Sequence, residues 1–259
     1  MSTFRVPGAY LDAELSDEGG HPVVQLHGLT SSRARDRLLD LDLGRGLSGT
    51  RLLRYDARGH GLSTGRVAPS DYVWTNLADD LLRLLDHWFP GERVHGVGPS
   101  MGTGTLLHAA VRRPDRFAGL TLLVPPTAWD TRVAKSRSYR RSAALVERDG
   151  IEAFLAEESD DQPPPATIHH PVTRPQISDR LFPSVFRGAA ASDLPSPSEI
   201  ARIQAPVTIL AWTGDPAHPE STAEKLVELL PRATMQVART PADVQTWPQV
   251  LAADVARHG

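Results

Sequence analysis

A doubly wound, mostly parallel α/β sheet (α/β class) with an inserted helical lid is the fold that this 259-residue chain predicts, and three observations predict it. Short apolar runs rich in β-branched residues alternate with longer segments of helical period. A glycine-flanked serine, GPSMG (98–102), stands between one such run and one such segment. From about residue 126 to 200 the alternation stops, and helical segments follow one another between proline clusters.

The elements follow in order. AYLDAEL (9–15) alternates apolar and polar residues, which suits an antiparallel strand at the sheet edge. PVVQLHG (22–28), TRLLRYD (50–56), ERVHGVG (92–98), FAGLTLLV (117–124) and PVTILAWTG (206–214) read as strands, with TMQVAR (234–239) as a further one. Between them, NLADDLLRLLDHWF (76–89) sets Leu77, Leu81, Leu84, Leu85 and Trp88 on one helical face. TGTLLHAAVRR (103–113) and STAEKLVELL (221–230) have the same period. The interrupted region carries TRVAKSRSYRRSAALVERDGIEAFLAEE and a short helix near ISDRLFPSVF, but no strand pattern. Prolines cluster in DQPPPATIHHPVTRP (161–175) and DLPSPS (193–198), marking irregular hinges. The division expected is therefore a core of residues 1–125 and 200–259 with a helical lid of residues 126–199.

Composition narrows the function classes. Hydrophobic residues make up 40% and charged residues 23%, as in ordinary globular domains, and a net charge of −3 offers no footprint for nucleic acid or anionic lipid. With no cysteine, disulfides, thiolate catalysis and thiolate zinc sites are excluded. MSTFRVPGAY lacks a basic segment followed by an apolar run, and no stretch approaches the ~18 apolar residues of a membrane span, so a cytoplasmic protein with a small-molecule partner is expected.

The chemistry centres on Ser100. Gly98 and Gly102 flank it where a strand turns sharply into a helix, and residues without side chains let the two pass closely. The following helix would aim its first amides at a group bound there. HGLTSS (27–32) closes an earlier strand, where the Leu29 amide could pair with that of Met101 to hold an oxyanion. YDARGHGLS (55–63) closes the next strand, and GDPAHP (214–219) a later one.

In this order and spacing, HGLTSS, YDARGHGLS, GPSMG and GDPAHP resemble the α/β-hydrolase fold family, within it the small lidded esterases, enol-lactone hydrolases and cofactor-free haloperoxidase-like enzymes. The resemblance covers nearly the whole chain outside the lid. It implies Ser100 as nucleophile, which disfavours the relatives that use an aspartate there, and Asp215 as the acid that orients an imidazole, with Asp130 as second choice. It implies no metal and no organic cofactor. His27, His60, His95 and His108 read as structural residues rather than bases.

The resemblance also implies a Gly-His pair past the last strand, but VARTPADVQTWP (237–248) has none. Counting back from Pro248 lands on Thr240, which cannot accept a proton near neutral pH. Three explanations stand open. Another imidazole serves: His218, three residues after Asp215, leads, ahead of His169 and His170 in the lid, whereas His258 lies at the chain end. Or Ser100 acts without a histidine on an activated ester or lactone. Or the pocket binds a ligand, or carries out a non-hydrolytic step, in a degenerate member of the fold. The expected activity is hydrolysis of a small, mostly apolar ester or lactone by Ser100, Asp215 and His218 with the Leu29 and Met101 amides.

Overall fold

The computed structural model describes residues 2–158 and 162–258. Along the chain run strands β1 (Ser2–Val6), β2 (Ala9–Asp17) and β3 (Pro22–Gln25), helix α1 (Arg33–Leu38), strand β4 (Arg51–Tyr55), helix α2 (Trp74–Trp88), strand β5 (Val94–Pro99), helix α3 (Met101–Arg112) and strand β6 (Phe117–Leu123). Helices α4 (Arg132–Asp149), α5 (Ile151–Glu158), α6 (Phe182–Ala190) and α7 (Pro197–Ile200) follow without an intervening strand among the described residues. Strand β7 (Val207–Trp212), helix α8 (Glu220–Leu229), strand β8 (Ala233–Ala238) and helices α9 (Pro241–Val244) and α10 (Trp247–His258) complete it.

One eight-stranded sheet joins them in the order β1-β2-β4-β3-β5-β6-β7-β8, and every pairing from β4 to β8 is parallel. The chain crosses outward to β4 and then back past β3 to β5, so the order reverses at β3. In an open parallel sheet the crevice at such a reversal, beyond the carboxyl ends of the strands, is where ligands are held. The carboxyl ends of β3, β5 and β7 carry three of the sequence motifs singled out above.

Side chains alternate between the two faces of the sheet, which is why the strands read as nearly continuous apolar runs. Val24, Leu53, Leu122 and Ile209 pack with Leu77, Leu81, Leu84 and Leu85 of α2 and with Leu106 of α3. Their chain neighbours Val23, Leu52, Leu123 and Leu210 pack on the opposite face with Trp247, Leu251 and Val255 of α10. The leucine stripe read from 76–89 is thus the buried face of α2, and its Trp88 lies against Phe4 of β1 with ring centroids 5.2 Å apart.

At the amino end the structure corrects the sequence reading. AYLDAEL lies in an antiparallel strand, but not at the edge: β1 pairs outside it, with Val6 opposite Ala9 across the Pro7–Gly8 turn. Gly8, at φ 81°, supplies the left-handed residue that so tight a reversal requires. TFRV is too short to show a strand period on its own.

Between β6 and β7 a separate apolar cluster forms around Phe154, Phe182, Val185 and Phe186, with Phe182 and Phe186 stacked at 3.9 Å between centroids. Helix α4 is strongly polar and buries Arg132, Ala143 and Val146. The Arg132 guanidinium donates to the Ser192 and Ala189 carbonyls at 2.8 and 2.6 Å and stacks over Trp74, tying the end of α6 to the start of α2. The proline-rich stretch is strapped to the sheet loops: Gly61 N–H donates to the Gln176 carbonyl at 2.8 Å, and Gln176 N–H to the Thr30 carbonyl at 2.7 Å. Of the stretch expected as lid, residues 159–161 lie outside the described residues. No described helix is long and apolar enough to cross a membrane.

Candidate active site

Strand β5 ends at Pro99 and α3 begins at Met101, so the whole reversal falls on Ser100, at φ 50° and ψ −106°. That backbone conformation is costly for a residue with a side chain and persists where the surroundings over-determine it. Here Ser100 N–H donates to the Leu123 carbonyl and the Ser100 carbonyl accepts from Gly104 N–H, both at 3.0 Å. Thr103 Oγ1 adds a bond to the Gly98 carbonyl at 2.9 Å. The flanking glycines are required by space: a Cβ at Gly98 would sit 2.9 Å from Leu26 Cβ, and one at Gly102 would sit 3.0 Å from the same atom.

The loop after β3 lies across from this bend, with Gly28 packed against Pro99 and Ser100. Its position is set from beneath. His27 accepts from Ala57 N–H at 2.9 Å through Nε2, and its Nδ1 donates to the Gly28 carbonyl at 2.8 Å. Asp56 accepts from the amides of Arg33 and Leu62, at 2.9 and 3.0 Å, and from the Arg33 guanidinium. Among the described residues no acceptor pairs with the Leu29 N–H. Met101, as the first residue of α3, points its N–H away from any intrahelical acceptor.

Beyond β7 the chain makes a tight turn in which His218 N–H donates to the Asp215 carbonyl at 3.1 Å. The Asp215 carboxylate closes the turn from inside, since Oδ1 accepts from Ala217 N–H at 2.8 Å. Its Oδ2 accepts from Trp212 Nε1 at 2.8 Å and from His218 Nδ1 at 2.7 Å. The other ring nitrogen, His218 Nε2, lies 2.8 Å from Ser100 Oγ. Hydroxyl, imidazole and carboxylate thus form one continuous hydrogen-bonded line, although acid and imidazole are only three residues apart in sequence. The turn makes this possible by folding the carbonyl of Asp215 back on the amide of His218 while both side chains project to the same side.

Electrostatics support that line. Burial alone would raise the Asp215 carboxyl, but the hydrogen bond and charge of His218, the Trp212 indole and the Ala217 amide outweigh it and hold the group well below the usual carboxylate range. With Asp215 ionised, Nδ1 carries the ring proton and the Nε2 lone pair is left for the serine.

The remaining candidates lie elsewhere. His60 is fully buried, its Nδ1 donating to the Arg58 carbonyl at 3.0 Å, and burial with His27 nearby pushes it down to about 3. His95 pairs with Thr121 Oγ1 at 2.8 Å inside the sheet and is likewise pushed down to about 3 by burial. His108 bonds to the Asp193 carbonyl at 2.9 Å. Asp130 is exposed in the turn after β6. The His170 amide closes a turn onto the Thr167 carbonyl, and no bond joins the described parts of His169 or His170 to Ser100. Thr240, where a histidine was expected, caps α9: Asp243 N–H donates to its Oγ1 at 3.3 Å, while Asp243 Oδ2 accepts from the amides of Arg239 and Thr240 at 2.9 Å. The loop has been turned over to a helix start, a capping box with Pro241 in the first turn.

A cavity of about 120 Å³ opens at Ser100 and His218 and is walled by Leu29, Leu39, Leu41, Pro99, Val124 and Trp212, with Ser31, Arg35 and Asp36 among its polar members. Trp212, Ser31 and Asp36 were missed from the sequence. Trp212 left a faint signal, an indole three residues before the acid at a strand end; Asp36 left none, since SSRARDRLLD reads as a solvated helix.

Comparisons with known proteins agree with this architecture. Residues 21–146 match the family model described as alpha/beta hydrolase fold. The chain is 26% identical to 3-oxoadipate enol-lactonase 2 of Acinetobacter baylyi over 193 residues, which cover 71% of this chain and 68% of that protein. Among solved structures it is similar to a thermophilic esterase from Thermogutta terrifontis, with a TM-score of 0.73 and 20% identity, covering 99% of this chain and 97% of the other. An enol-lactonase from Burkholderia xenovorans gives a TM-score of 0.70 at 20% identity, covering 98% of this chain and 100% of the other. With its eight-stranded sheet, its strand order and these likenesses, the chain has the α/β-hydrolase fold.

Proposed function

We propose that the protein is a serine hydrolase that cleaves a small, mostly apolar ester or lactone through a rearranged triad of Ser100, His218 and Asp215. One observation carries this reading: His218 bridges Ser100 Oγ and Asp215 Oδ2 at 2.8 and 2.7 Å, with separate ring nitrogens. Names of relatives, enol-lactonase and esterase, support the bond type. The apolar walls and modest volume of the cavity support a short acyl group.

In this mechanism His218 Nε2 takes the hydroxyl proton as Ser100 Oγ attacks the acyl carbon. The Leu29 and Met101 amides receive the oxyanion of the tetrahedral intermediate. Asp215 accepts the hydrogen bond from Nδ1–H throughout and favours the imidazolium, without itself becoming protonated. His218 then returns the proton to the leaving alkoxide, and the C–O bond breaks to leave an acyl-serine. A water that gives its proton to Nε2 attacks the acyl carbon, and Ser100 Oγ leaves with that proton. For a lactone the leaving oxygen stays on the same molecule, and the product is a hydroxy acid, or its keto form when the ring oxygen was enolic.

Hydrolysis of p-nitrophenyl butanoate tests the assignment. Ser100→Ala and His218→Ala should each lower kcat by roughly 10³-fold or more, and the double variant by little more than either alone, because members of a triad act as a unit. Turnover that survives His218→Ala would remove the imidazole from the mechanism while sparing the serine. Absence of turnover in the unaltered protein, with an ester still bound, would favour a ligand-binding member of the fold.

A further inference from the structure

Asp36 is not used by this mechanism, yet it lines the same cavity as Ser100 and His218. It belongs to α1 and is 2% exposed. Ser31 Oγ donates to its Oδ1 at 2.5 Å, while its Oδ2 is buried with no partner among the described residues. Neighbouring buried carboxylates are matched. Asp56 has two amides and the Arg33 guanidinium, and Asp42 Oδ1 accepts from Gln25 Nε2 and Arg54 Nε, both at 2.9 Å.

The groups acting on Asp36 explain its state. Burial is the largest influence and disfavours the anion. Ser31 and the Arg35 guanidinium, which also bonds Thr30 and Thr173, favour it, whereas Asp42 and Asp56 oppose it, and the carboxyl is pushed up to about 7. A carboxylic acid has one O–H. Because Ser31 donates to Oδ1, the acid proton belongs on Oδ2, where no described protein group accepts it. A buried donor of this kind needs an acceptor from a ligand or a water.

We propose that Asp36, oriented by Ser31, is a specificity-determining residue that donates a hydrogen bond from Oδ2 to a neutral oxygen, keto or ether, on the acyl chain of the substrate. The substrate class is then an oxo- or alkoxyacyl ester, or a lactone bearing a second oxygen on its acyl side. This rests on the serine-hydrolase reading, which places the acyl chain in the cavity; Leu29, Leu39 and Leu41 take up its carbons. The preference weakens as pH rises through about 7, because the ionised carboxylate repels an oxygen lone pair.

The test compares p-nitrophenyl 4-oxopentanoate and 5-oxohexanoate with their methylene counterparts, pentanoate and hexanoate, each rate normalised to hydroxide hydrolysis of the same ester. At pH 6 at least one oxo ester should be preferred about tenfold in kcat/KM, mostly through KM, and the ratio should fall toward one at pH 8.5. Asp36→Leu should bring the ratio to about one at both pH values; Asp36→Asn, which keeps a donor but cannot titrate, should keep a ratio that no longer changes with pH. Binding of the same esters to Ser100→Ala protein, followed by nitrophenyl quenching of tryptophan fluorescence, should show the same order of affinities. That readout separates the two ideas: no turnover of any ester with the binding order intact defeats the hydrolase reading alone. A ratio near one in the unaltered protein, or a ratio that survives Asp36→Leu, overturns the role of Asp36, as does a preference that rises with pH.

Discussion

Replacing Asp36 by asparagine gives a stability change whose sign and size follow from the structure. The carboxyl titrates near 3.8 when exposed and is pushed up to about 7 by its burial in the fold. A group whose folded value is raised binds protons more tightly in the folded state. Its contribution is fully present below the unfolded value and is lost as pH rises through the folded one. At about 1.4 kcal/mol per unit, a difference of roughly three units corresponds to about 4 kcal/mol over the full window, of which about 3 kcal/mol falls between pH 5 and pH 8. Asparagine does not titrate. The stability of Asp36→Asn minus that of the unaltered protein should therefore rise by about 3 kcal/mol from pH 5 to pH 8. In thermal unfolding that is roughly a 6–12 °C relative gain in Tm for a protein of this size. Paired unfolding curves at pH 5, 6, 7 and 8 provide the assay. A difference that stays flat across this range would mean that Asp36 ionises normally, and the argument for a neutral donor in the cavity would fail with it.

Other expectations can be checked one residue at a time. Thr240→Ala should cost about 1 kcal/mol of stability through the lost cap of α9 and leave esterase kcat unchanged, whereas a catalytic role for that position would show as a loss of rate. Trp212→Phe removes the indole donor from Asp215 and should lower kcat by about tenfold with KM nearly constant, since a hydrogen bond to a charged group is worth ~1.5–3 kcal/mol; an equal effect on stability alone would make the indole merely structural. Gly98→Ala forces a Cβ to within 2.9 Å of Leu26 Cβ and should destabilise by about 1–3 kcal/mol in urea unfolding, with a loss of activity that Gly91→Ala does not share. In that control no atom lies within 4 Å of the added methyl, although the positive φ of 74° adds local strain.

Period and turn chemistry made most of the sheet readable in advance. Ser100 was legible because a strand, two glycines and a helix surround it in a pattern that sterics demand. Asp215 was legible from its place at a strand end. His218 was harder, because sequence shows the imidazole three residues from the acid but not whether the turn lets both groups point along one line. The answer lies in two bonds from main-chain amides, Ala217 N–H to Asp215 Oδ1 and His218 N–H to the Asp215 carbonyl, which no residue pattern announces. Strand β1 escaped notice because five residues with one buried side chain show little period. Asp36 escaped for the opposite reason: its arginine-rich surroundings promise solvent, but the fold buries it to 2% exposure beside the cavity. Burial of a charged residue is decided by tertiary packing, and local sequence is blind to it.

We propose Ser100 as an activated nucleophile whose base is His218. Incubation with a fluorophosphonate followed by intact-mass measurement tests it most directly. One adduct per chain should form within minutes, be absent in Ser100→Ala and form roughly 10³-fold more slowly in His218→Ala. An adduct that forms as fast without the imidazole, or none after hours in the unaltered protein, would contradict it.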